Sequence, residues 1–271
     1  MSTLLAPILL VIGAASIHAE QAPTTVSQDP KQAATAVGRS QARQTLAPYY
    51  LERVDTSPRG QSFGLKEIVA RRSDGAIVHI GALAPGDMRA FGRDVTLPDG
   101  TRVSVYDSIK AKTTWPPDEM QAQFHRAQLL EGPAECVMGS NPPLRREQME
   151  GQDVDVVQFN LGARRVTVWA APKLGCEYLY DKAEDPAGGG SFRIDMEVKT
   201  IKLVIGEPDA RLFDVASDLI EMKPSEAMRK RWSVTEPPVP AEQKAAFLRA
   251  GERMAAEQDK RYEAANSKVR Q

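Results

Sequence analysis

The chain has 271 residues, 42% hydrophobic and 26% charged, which is enough to bury the core of one large domain or two small ones. Its 35 basic residues nearly balance its 36 acidic residues, for a formal net charge of −1. Binding to phosphates requires clustered, uncompensated cations, so this balance argues against nucleic acid as a partner.

The first 19 residues predict a cleaved signal peptide. An apolar run from Leu4 to Ile12 leads through small residues to Ile17-His18-Ala19, which fits a cleavage site before Glu20. The run is shorter than the ~20 residues of a membrane-spanning helix, as in a signal peptide. The segment departs from the usual signal-peptide pattern in that no Lys or Arg precedes the apolar run. An uncleaved anchor is the alternative. No other segment is apolar over such a length, so we expect a periplasmic or secreted protein without a membrane span.

Residues 20–44 differ in composition from the rest of the chain. They are rich in Gln, Ala, Thr and Ser and contain no aromatic residue. Such a segment buries too little apolar surface to offset the entropy lost on ordering, which predicts a flexible leader. Residues 45–232 alternate between short strand-like segments and turn signals, and we expect them to form one β-rich domain.

Two hairpins are predicted by Asp-Gly turns between strand-like runs. Asp74-Gly75 separates residues 66–72 from 77–80, and Asp99-Gly100 precedes an alternating run over 101–106. Gly supplies the positive φ that such tight turns require. The Gly-rich segment 186–190 predicts a hairpin connection, not a phosphate-binding loop, because a strand follows it. Further strands are expected over residues 109–115, 153–159, 165–170, 173–180 and 192–205.

Two helices are predicted. Asp118 follows Pro116-Pro117 and can cap a short helix that ends before Gly132-Pro133. The last part of the chain, residues 233–271, is a Pro-rich spacer followed by a helix, because residues 241–268 consist mainly of good helix formers. This helix can dock on the sheet, bind a partner or remain solvated. Its thin apolar stripe consists of Phe247, Met254, Tyr262 and Ala265.

Cys136 and Cys176 are the only cysteines of the chain. In an exported protein an even number of cysteines predicts a disulfide, here between residues 40 positions apart. A metal site or a redox couple is the alternative. It is disfavoured because the cysteines lack Cys-x-x-Cys spacing and neither His79 nor His125 lies at a ligand spacing.

No catalytic, cofactor-binding or metal-binding residues are predicted. No Gly-x-Ser-x-Gly nucleophile motif occurs, and we expect His79 on a strand surface and His125 on an exposed helix face. Asp153 and Asp155 share one face of a predicted strand, and paired acids can serve glycoside hydrolysis or bind Ca²⁺. These two lack companion ligands, so the preferred interpretation is a solvated strand face. We therefore expect a protein that is not an enzyme and needs no cofactor.

Four aromatic residues are candidates for a core or for the wall of a cleft. Trp169 and Cys176 flank a Pro/Gly turn, which suggests an indole packed near the disulfide. Core packing and a cleft wall both remain open. The four candidates are Trp115, Trp169, Phe192 and Phe213.

Three motifs carry a resemblance to known proteins. They are Trp-Ala-Ala-Pro-Lys-Leu-Gly-Cys at 169–176, Gly-Glu-Pro-Asp-Ala-Arg-Leu-Phe at 206–213 and Pro-Ser-Glu at 224–226. Over residues 46–230 the chain resembles a class of uncharacterised exported bacterial proteins. More distantly, the layout and the Leu-Phe-x-Val segment at 212–215 are similar to the lipoprotein-carrier and sigma-regulator superfamily. That resemblance implies a curved antiparallel half-barrel that cups helices and an apolar ligand, and it implies no catalytic residues.

Together these features predict an α+β fold: a curved, half-barrel-like antiparallel sheet with a few short helices and a C-terminal helical tail. The leading functional hypothesis is a non-enzymatic envelope protein that binds an apolar ligand, a lipidated partner or an envelope polymer in the cleft of the half-barrel. One alternative is a structural or regulatory protein that engages another envelope protein through its C-terminal helix. The other is a hydrolase that acts on envelope polymers.

Overall fold

The computed structural model describes residues 46–57, 65–83, 92–117, 132–234 and 241–269. Several predicted features lie outside these residues: the signal peptide, the leader, the helix expected after Asp118 with its His125, and the proline spacer. Within the described residues, no helix combines the length and the apolar character that crossing a bilayer requires.

The described residues form twelve strands, two α-helices and three short 3-10 helices. The helices are α1 (Pro224–Val234) and α2 (Ala241–Val269), and the 3-10 helices span Asp107–Ile109, Pro172–Leu174 and Ala210–Phe213. The strands are β1 (Tyr49–Asp55), β2 (Leu65–Arg71), β3 (Ile77–Leu83), β4 (Arg93–Thr96), β5 (Arg102–Tyr106), β6 (Ala111–Trp115), β7 (Arg145–Met149), β8 (Gln152–Leu161), β9 (Arg164–Ala171), β10 (Glu177–Gly188), β11 (Ser191–Ile205) and β12 (Ile220–Glu221).

All twelve strands belong to one sheet, in the order β12-β6-β5-β4-β3-β2-β1-β11-β10-β9-β8-β7. Strands β1 to β6 follow one another across the sheet, as do β7 to β11, and the two runs join where β1 pairs antiparallel with β11. Only β12, which pairs with β6, runs parallel to its neighbour. Bulges in the β1–β11, β10–β11 and β9–β10 pairs bend the strands. The sheet is curved and unclosed, which confirms the predicted α+β fold.

The predicted hairpins are confirmed. Gly75 has φ 90° in the β2–β3 turn, and the Asp74 carboxylate accepts from the Ala76 amide at 3.0 Å. The β4–β5 turn repeats this arrangement, with Gly100 at φ 89°. The Gly-rich segment connects β10 to β11 as expected. These turns form because Gly reaches positive φ at little cost and Asp satisfies a nearby amide.

Two apolar clusters lie on the sheet near β2. Ile68 belongs to one and its neighbour Val69 to the other, because successive side chains of a strand point to opposite faces. The sheet is therefore buried on both sides at this strand. The first cluster contains Tyr49, Leu51, Val69, Val154, Val156, Trp169, Ala171, Leu174 and Leu179. The second contains Ile68, Ala70, Ala76, Val78, Ile80, Val95 and Phe213.

Cys136 and Cys176 form the predicted disulfide, with their Cα atoms 5.6 Å apart. The bond joins the segment before β7 to the turn between β9 and β10. Cys136 is fully buried, so the disulfide is anchored in the interior.

The C-terminal helix α2 docks on α1 and on the edge of the sheet. Its Tyr262 ring meets the Trp115 ring edge-on at 5.5 Å, and its Asp259 carboxylate accepts from the Ser225 amide at the start of α1 at 2.9 Å. Of the three outcomes left open by the sequence, docking is the one observed. The side chain of Phe247 lies outside the described residues.

Candidate functional site

A group of ionisable side chains surrounds Arg53 on β1. Glu67 on β2 is the strand partner of Arg53, and Glu177 and Asp181 come from β10. Because these strands are neighbours or near neighbours in the sheet, their side chains meet although the residues are far apart in sequence. We call this group the Arg53 cluster, and it consists of Arg53, Asp55, Glu67, His79, Glu177 and Asp181.

Arg53 is held by three groups. One guanidinium nitrogen, Nη2, donates to Glu67 Oε2 at 2.5 Å, and the other, Nη1, donates to the Tyr178 carbonyl at 2.8 Å. Nη1 also lies 3.4 Å from Glu177 Oε1, while the Tyr49 hydroxyl donates to the other oxygen of Glu177 at 3.0 Å. Two carboxylates thus share the positive charge of one buried guanidinium.

Asp181 differs from Glu67 and Glu177 in that it forms no ion pair with Arg53. Its residue surface is only 8% exposed, and its carboxyl group forms no hydrogen bond with any side chain or amide of the described residues. Burial raises the pKa of Asp181 to about 6; the charge of Arg53 opposes this, and Glu67, Asp55 and Glu177 add to it. This carboxyl therefore titrates near neutral pH.

Glu67 and His79 form the second ionisable contact of the cluster. His79 Nδ1 lies 3.8 Å from Glu67 Oε1, and the imidazole is 28% exposed. Burial acts to raise the pKa of Glu67, but His79 and Arg53 outweigh it and lower the pKa to about 2. Burial acts to lower the pKa of His79, but Glu67 and Glu177 raise it above its ordinary value. His79 does lie on a strand, as predicted, but it faces a carboxylate and not open solvent.

The cluster carries more negative than positive charge. Arg53 is its only permanent cation, and His79 adds a second only when it is protonated. No three His, Cys, Asp or Glu side chains of the described residues lie close enough together to hold a metal ion.

The predicted solvated face of β8 is wrong for Asp155, which is 1% exposed. Arg146 Nε donates to one of its oxygens and the Cys136 amide donates to the other, both at 2.8 Å. The carboxylate thus fixes the backbone beside the disulfide, which is a structural role. Asp153 is exposed as predicted and bonds to Gln148.

The four aromatic candidates lie in separate places. Trp169 is a core residue whose indole N–H donates to Glu147 at 2.9 Å, and Phe213 is buried in the second apolar cluster. Trp115 is half-buried between Arg102 and α2. Phe192 is 40% exposed near the β10–β11 turn and lies under the Arg165 guanidinium, so it is not part of the core.

Another feature, which sequence reasoning missed, is an exposed strip along one face of β11. Strand register places its members on a single face: Lys199 is the partner of Tyr180, Lys202 of Glu52, and Val204 of Tyr50. The apolar members are 40–47% exposed, and both lysines lie over tyrosine rings. We call this the β11 strip, and it consists of Phe192, Ile194, Lys199, Lys202 and Val204.

The β11 strip lies within the sheet and not at its edge. Strand β11 pairs with β1 along one side and with β10 along the other, so its backbone is bonded. Strand β11 also carries five of the ten exposed large apolar side chains among the described residues, and three of these five belong to the strip. What β11 offers for binding is consequently its side-chain surface. Two lysines lie between Ile194 and Val204 in the strip, and they pair with Glu197 at 3.1 Å and with Glu52 at 3.7 Å.

Comparisons with known proteins give distant similarities only. No family model matches the chain, and no curated protein is similar to it in sequence. Two structures of PNGF-II, in C2 and P21 space groups, are 12% and 10% identical and cover 69% of this chain, with TM-scores of 0.40 and 0.39. The chain spans about a third of the length of those structures, 33% and 34%.

A further structural neighbour is a domain assigned to outer membrane lipoprotein sorting, from Vibrio parahaemolyticus. It is 11% identical, covers 62% of this chain and 89% of its own length, and gives a TM-score of 0.25. Similarities at these TM-scores support no conclusion about a shared fold or function.

Proposed function

We propose that this protein is a non-enzymatic binding protein of the cell envelope that holds an acyl chain on the β11 strip. The observation that carries the proposal is the strip itself, an exposed row of apolar and cationic side chains on an interior strand. Exposed apolar side chains that are gathered on one face of a strand and bordered by polar groups are a common feature of binding surfaces.

The composition of the β11 strip favours an amphiphile over a purely apolar ligand. Ile194 and Val204 provide apolar contact. The side chains of Lys199 and Lys202 are 48% and 56% exposed, although each amine also pairs with a glutamate, so an anionic group can still approach them. An acyl chain with an anionic group at one end matches both properties. A lipid and a lipidated protein both carry such a group.

An extracytoplasmic location is supported by the disulfide between Cys136 and Cys176. Disulfides form and persist in oxidising compartments and are rare in the cytosol. The sequence-based expectation of a signal peptide points the same way.

Binding of fluorescent palmitate by the purified mature protein tests the proposal. We expect the double variant Ile194→Glu/Val204→Glu to bind at least tenfold more weakly, because two charges are placed in the acyl contact. Leu161→Glu is the matched control, since Leu161 is another exposed apolar residue, at the end of β8. Equal affinity for all three proteins would reject the strip as the binding surface.

The charge of the ligand is tested separately. Lys199→Ala/Lys202→Ala should weaken binding of palmitate but leave binding of the uncharged alcohol of the same chain length nearly unchanged. Two experiments distinguish a lipid from a lipidated partner. Extraction of lipid from protein purified with membranes tests for a lipid, and incubation with a synthetic lipidated peptide tests for a lipidated partner.

The absence of catalysis is part of the proposal. A hydrolase screen on envelope polymers tests it, with Asp153→Asn, Asp155→Asn and His79→Ala as variants. If the wild-type protein shows turnover, and one of these substitutions abolishes it in a variant that still folds, the enzyme alternative is established. Partner capture through α2 has less support, because Tyr262 is already engaged with Trp115.

A further inference from the structure

The two lysines of the β11 strip differ in how firmly their amines are held. Lys199 Nζ lies 3.1 Å from Glu197 Oε2, and the other oxygen of Glu197 accepts from the Tyr180 hydroxyl at 2.7 Å. Lys202 Nζ lies 3.7 Å from Glu52 Oε1, which is too far for a hydrogen bond. The amine of Lys202 is therefore the less engaged of the two.

The contacts of Glu52 explain why Lys202 is left without a hydrogen bond to it. The Lys66 amine lies 2.5 Å from Glu52 Oε2, and the Tyr50 hydroxyl donates to Oε1 at 2.8 Å. Both oxygens of this carboxylate thus have a nearer partner than Lys202. Two lysines beside one glutamate leave one positive charge uncompensated at this end of the strip, whereas the charge of Lys199 is balanced by its own glutamate.

We propose that Lys202 binds the anionic end of the acyl ligand and that the chain runs from there towards Ile194 and Phe192. This inference rests on the proposed acyl-binding function and assigns the residue that selects the charged group. The Lys202 side chain is 56% exposed, and its amine lies 5.2 Å from the centre of the Tyr50 ring, so an anion can reach it from solvent. A lysine amine is a compact charge with three donors, which suits a terminal anionic group.

The direction of the chain follows from the course of β11. The strand ends at Ile205, so only Val204 of the strip lies beyond Lys202 in that direction. Ile194 and Phe192 lie on the other side of Lys202, towards the β10–β11 turn, and are 44% and 40% exposed. The longer exposed apolar part of the strip is therefore on the side of the turn.

The opposite orientation, with the anionic end at the turn, is less favourable. A cation does lie there, because the Arg165 guanidinium is 4.0 Å from the centre of the Phe192 ring. Its Nε donates to Glu184 at 3.0 Å, so this charge is already paired. What the turn offers the ligand is thus apolar contact.

Displacement of fluorescent palmitate from the full mature chain tests the role of Lys202. Lys202→Ala should bind palmitate about fivefold more weakly, the loss expected for one exposed ion pair. Lys199→Ala should lose about twofold at most, because its amine is already paired. Lys202→Arg keeps the charge and should restore the affinity. Lys173→Ala, at an exposed position in the β9–β10 connection, is the matched control.

The direction of the chain is tested with two ligand lengths. Lys202 and Ile194 are eight residues apart, which is roughly 26 Å along a strand, and octanoate held at Lys202 is too short to span this distance. Ile194→Glu should therefore weaken binding of palmitate much more than binding of octanoate. Val204→Glu, next to the charged end, should weaken both by a similar factor.

The outcomes separate this inference from the function on which it rests. With all variants shown to be folded by circular dichroism, a loss for Lys199→Ala as large as that for Lys202→Ala would overturn the assignment of Lys202. Equal effects of Ile194→Glu on the two ligands would overturn the direction. Failure of the wild-type protein to bind palmitate would instead reject the acyl-binding function, and this inference with it.

Discussion

At the scale of single residues, the pKa values of two buried carboxyl groups of the Arg53 cluster are shifted in opposite directions. Glu67 has a pKa of about 2 and Asp181 a pKa of about 6, although both are largely buried. Direct contact with a cation makes the difference, because Glu67 touches Arg53 and His79 whereas Asp181 touches neither. Burial alone therefore does not set the charge state of an acid in this protein.

We expect Asp181→Asn to stabilise the protein above pH 7 by up to about 3 kcal/mol, from a shift between the ordinary pKa of 3.8 and about 6. A raised carboxyl pKa means that the folded state binds more protons than the unfolded state between these values, so wild-type stability falls as the pH rises through them. The gain should fade as the pH falls from 6 to 4. Urea unfolding of both proteins at pH 8 and pH 4 measures it, and a destabilised variant at pH 8 would contradict it.

The opposite behaviour is expected for Glu67→Gln. The lowered pKa of Glu67 means that its ionised form stabilises the folded state above pH 4.5 and that this contribution is lost as the pH falls towards about 2. The substitution should destabilise the protein by about 3 kcal/mol at pH 7, because it also deprives buried Arg53 of a partner. The difference from wild type should shrink in acid unfolding below pH 4. A constant difference across this range would show that the loss is one of packing.

At the scale of elements, two sets of contacts fix the segment before β7 and the C-terminal helix α2 in place. The disulfide and Asp155 hold the segment before β7 against the β9–β10 turn. Contacts of Asp259 and Tyr262 hold α2 against α1 and β6. Both attachments join residues from distant parts of the chain, but only the disulfide, which is covalent, also restricts the unfolded chain.

Removing the disulfide should lower the free energy of unfolding by roughly 4 kcal/mol in the chain-entropy model for a loop of this length. The substitution Cys136→Ala/Cys176→Ala and reduction of wild type should have similar effects on the urea midpoint. Reduction of the double variant is the control and should change nothing. An unchanged midpoint for reduced wild type would mean that the clusters on either side hold the segment without the bond.

Gly251 on α2 provides a sharper test of helix docking. A Cβ atom placed at this position would lie 2.1 Å from the Trp232 ring, so Gly251→Ala must displace the indole. Ala favours an isolated helix over Gly by about 1 kcal/mol, but overpacking costs about 1–3 kcal/mol, and we expect net destabilisation. Ala264→Gly, at an exposed position of the same helix, controls for propensity.

The measurement for Gly251→Ala is limited proteolysis of α2 together with thermal unfolding. Faster cleavage within α2, with the β-sheet spectrum unchanged, would match detachment of the helix from α1. A variant more stable than wild type would show that propensity outweighs the contact and that α2 is not held by Trp232.

At the scale of the whole molecule, the pairing of β1 with β11 joins the two runs of strands and places both candidate sites at one seam. Arg53 and Asp181 lie on one face of the seam, and Lys199, Lys202 and Val204 lie on the other. The Arg53 cluster exists in neither run alone, because it combines residues of β1, β2 and β3 with residues of β10, whereas all members of the β11 strip belong to β11. Pairing of β1 with β11 is therefore a condition for assembly of the Arg53 cluster.

Occupancy of the β11 strip should stabilise the folded chain as a whole. A ligand at 100 times its Kd raises the free energy of unfolding by about 2.7 kcal/mol when it binds only the folded state. Palmitate should therefore raise the urea midpoint of wild type and of Leu161→Glu, and leave that of Ile194→Glu/Val204→Glu unchanged. A rise in all three would indicate binding elsewhere on the molecule.

Patterns that are local in sequence were sufficient to predict the hairpins at Asp74-Gly75 and Asp99-Gly100, the strands β8, β9 and β11, and the C-terminal helix. The reason is that turn chemistry, period-two alternation and helix propensity act over a few residues. Pairing of the only two cysteines also followed from their number. Strand β7 was missed because Arg145–Met149 is mostly polar, and α1 was missed because its start at Pro224 was read only as part of a motif.

Tertiary structure alone decided where charges meet. Arg53 and Glu177 are 124 positions apart in sequence, and only the order of strands brings them within 3.4 Å. The single face of the β11 strip depends likewise on pairing and bulges between strands. The burial of Asp155 and the docking of Tyr262 depend on contacts with segments that are distant in sequence. Local composition fixes which elements form, whereas the free energy of packing them together fixes which side chains are left to bind a ligand.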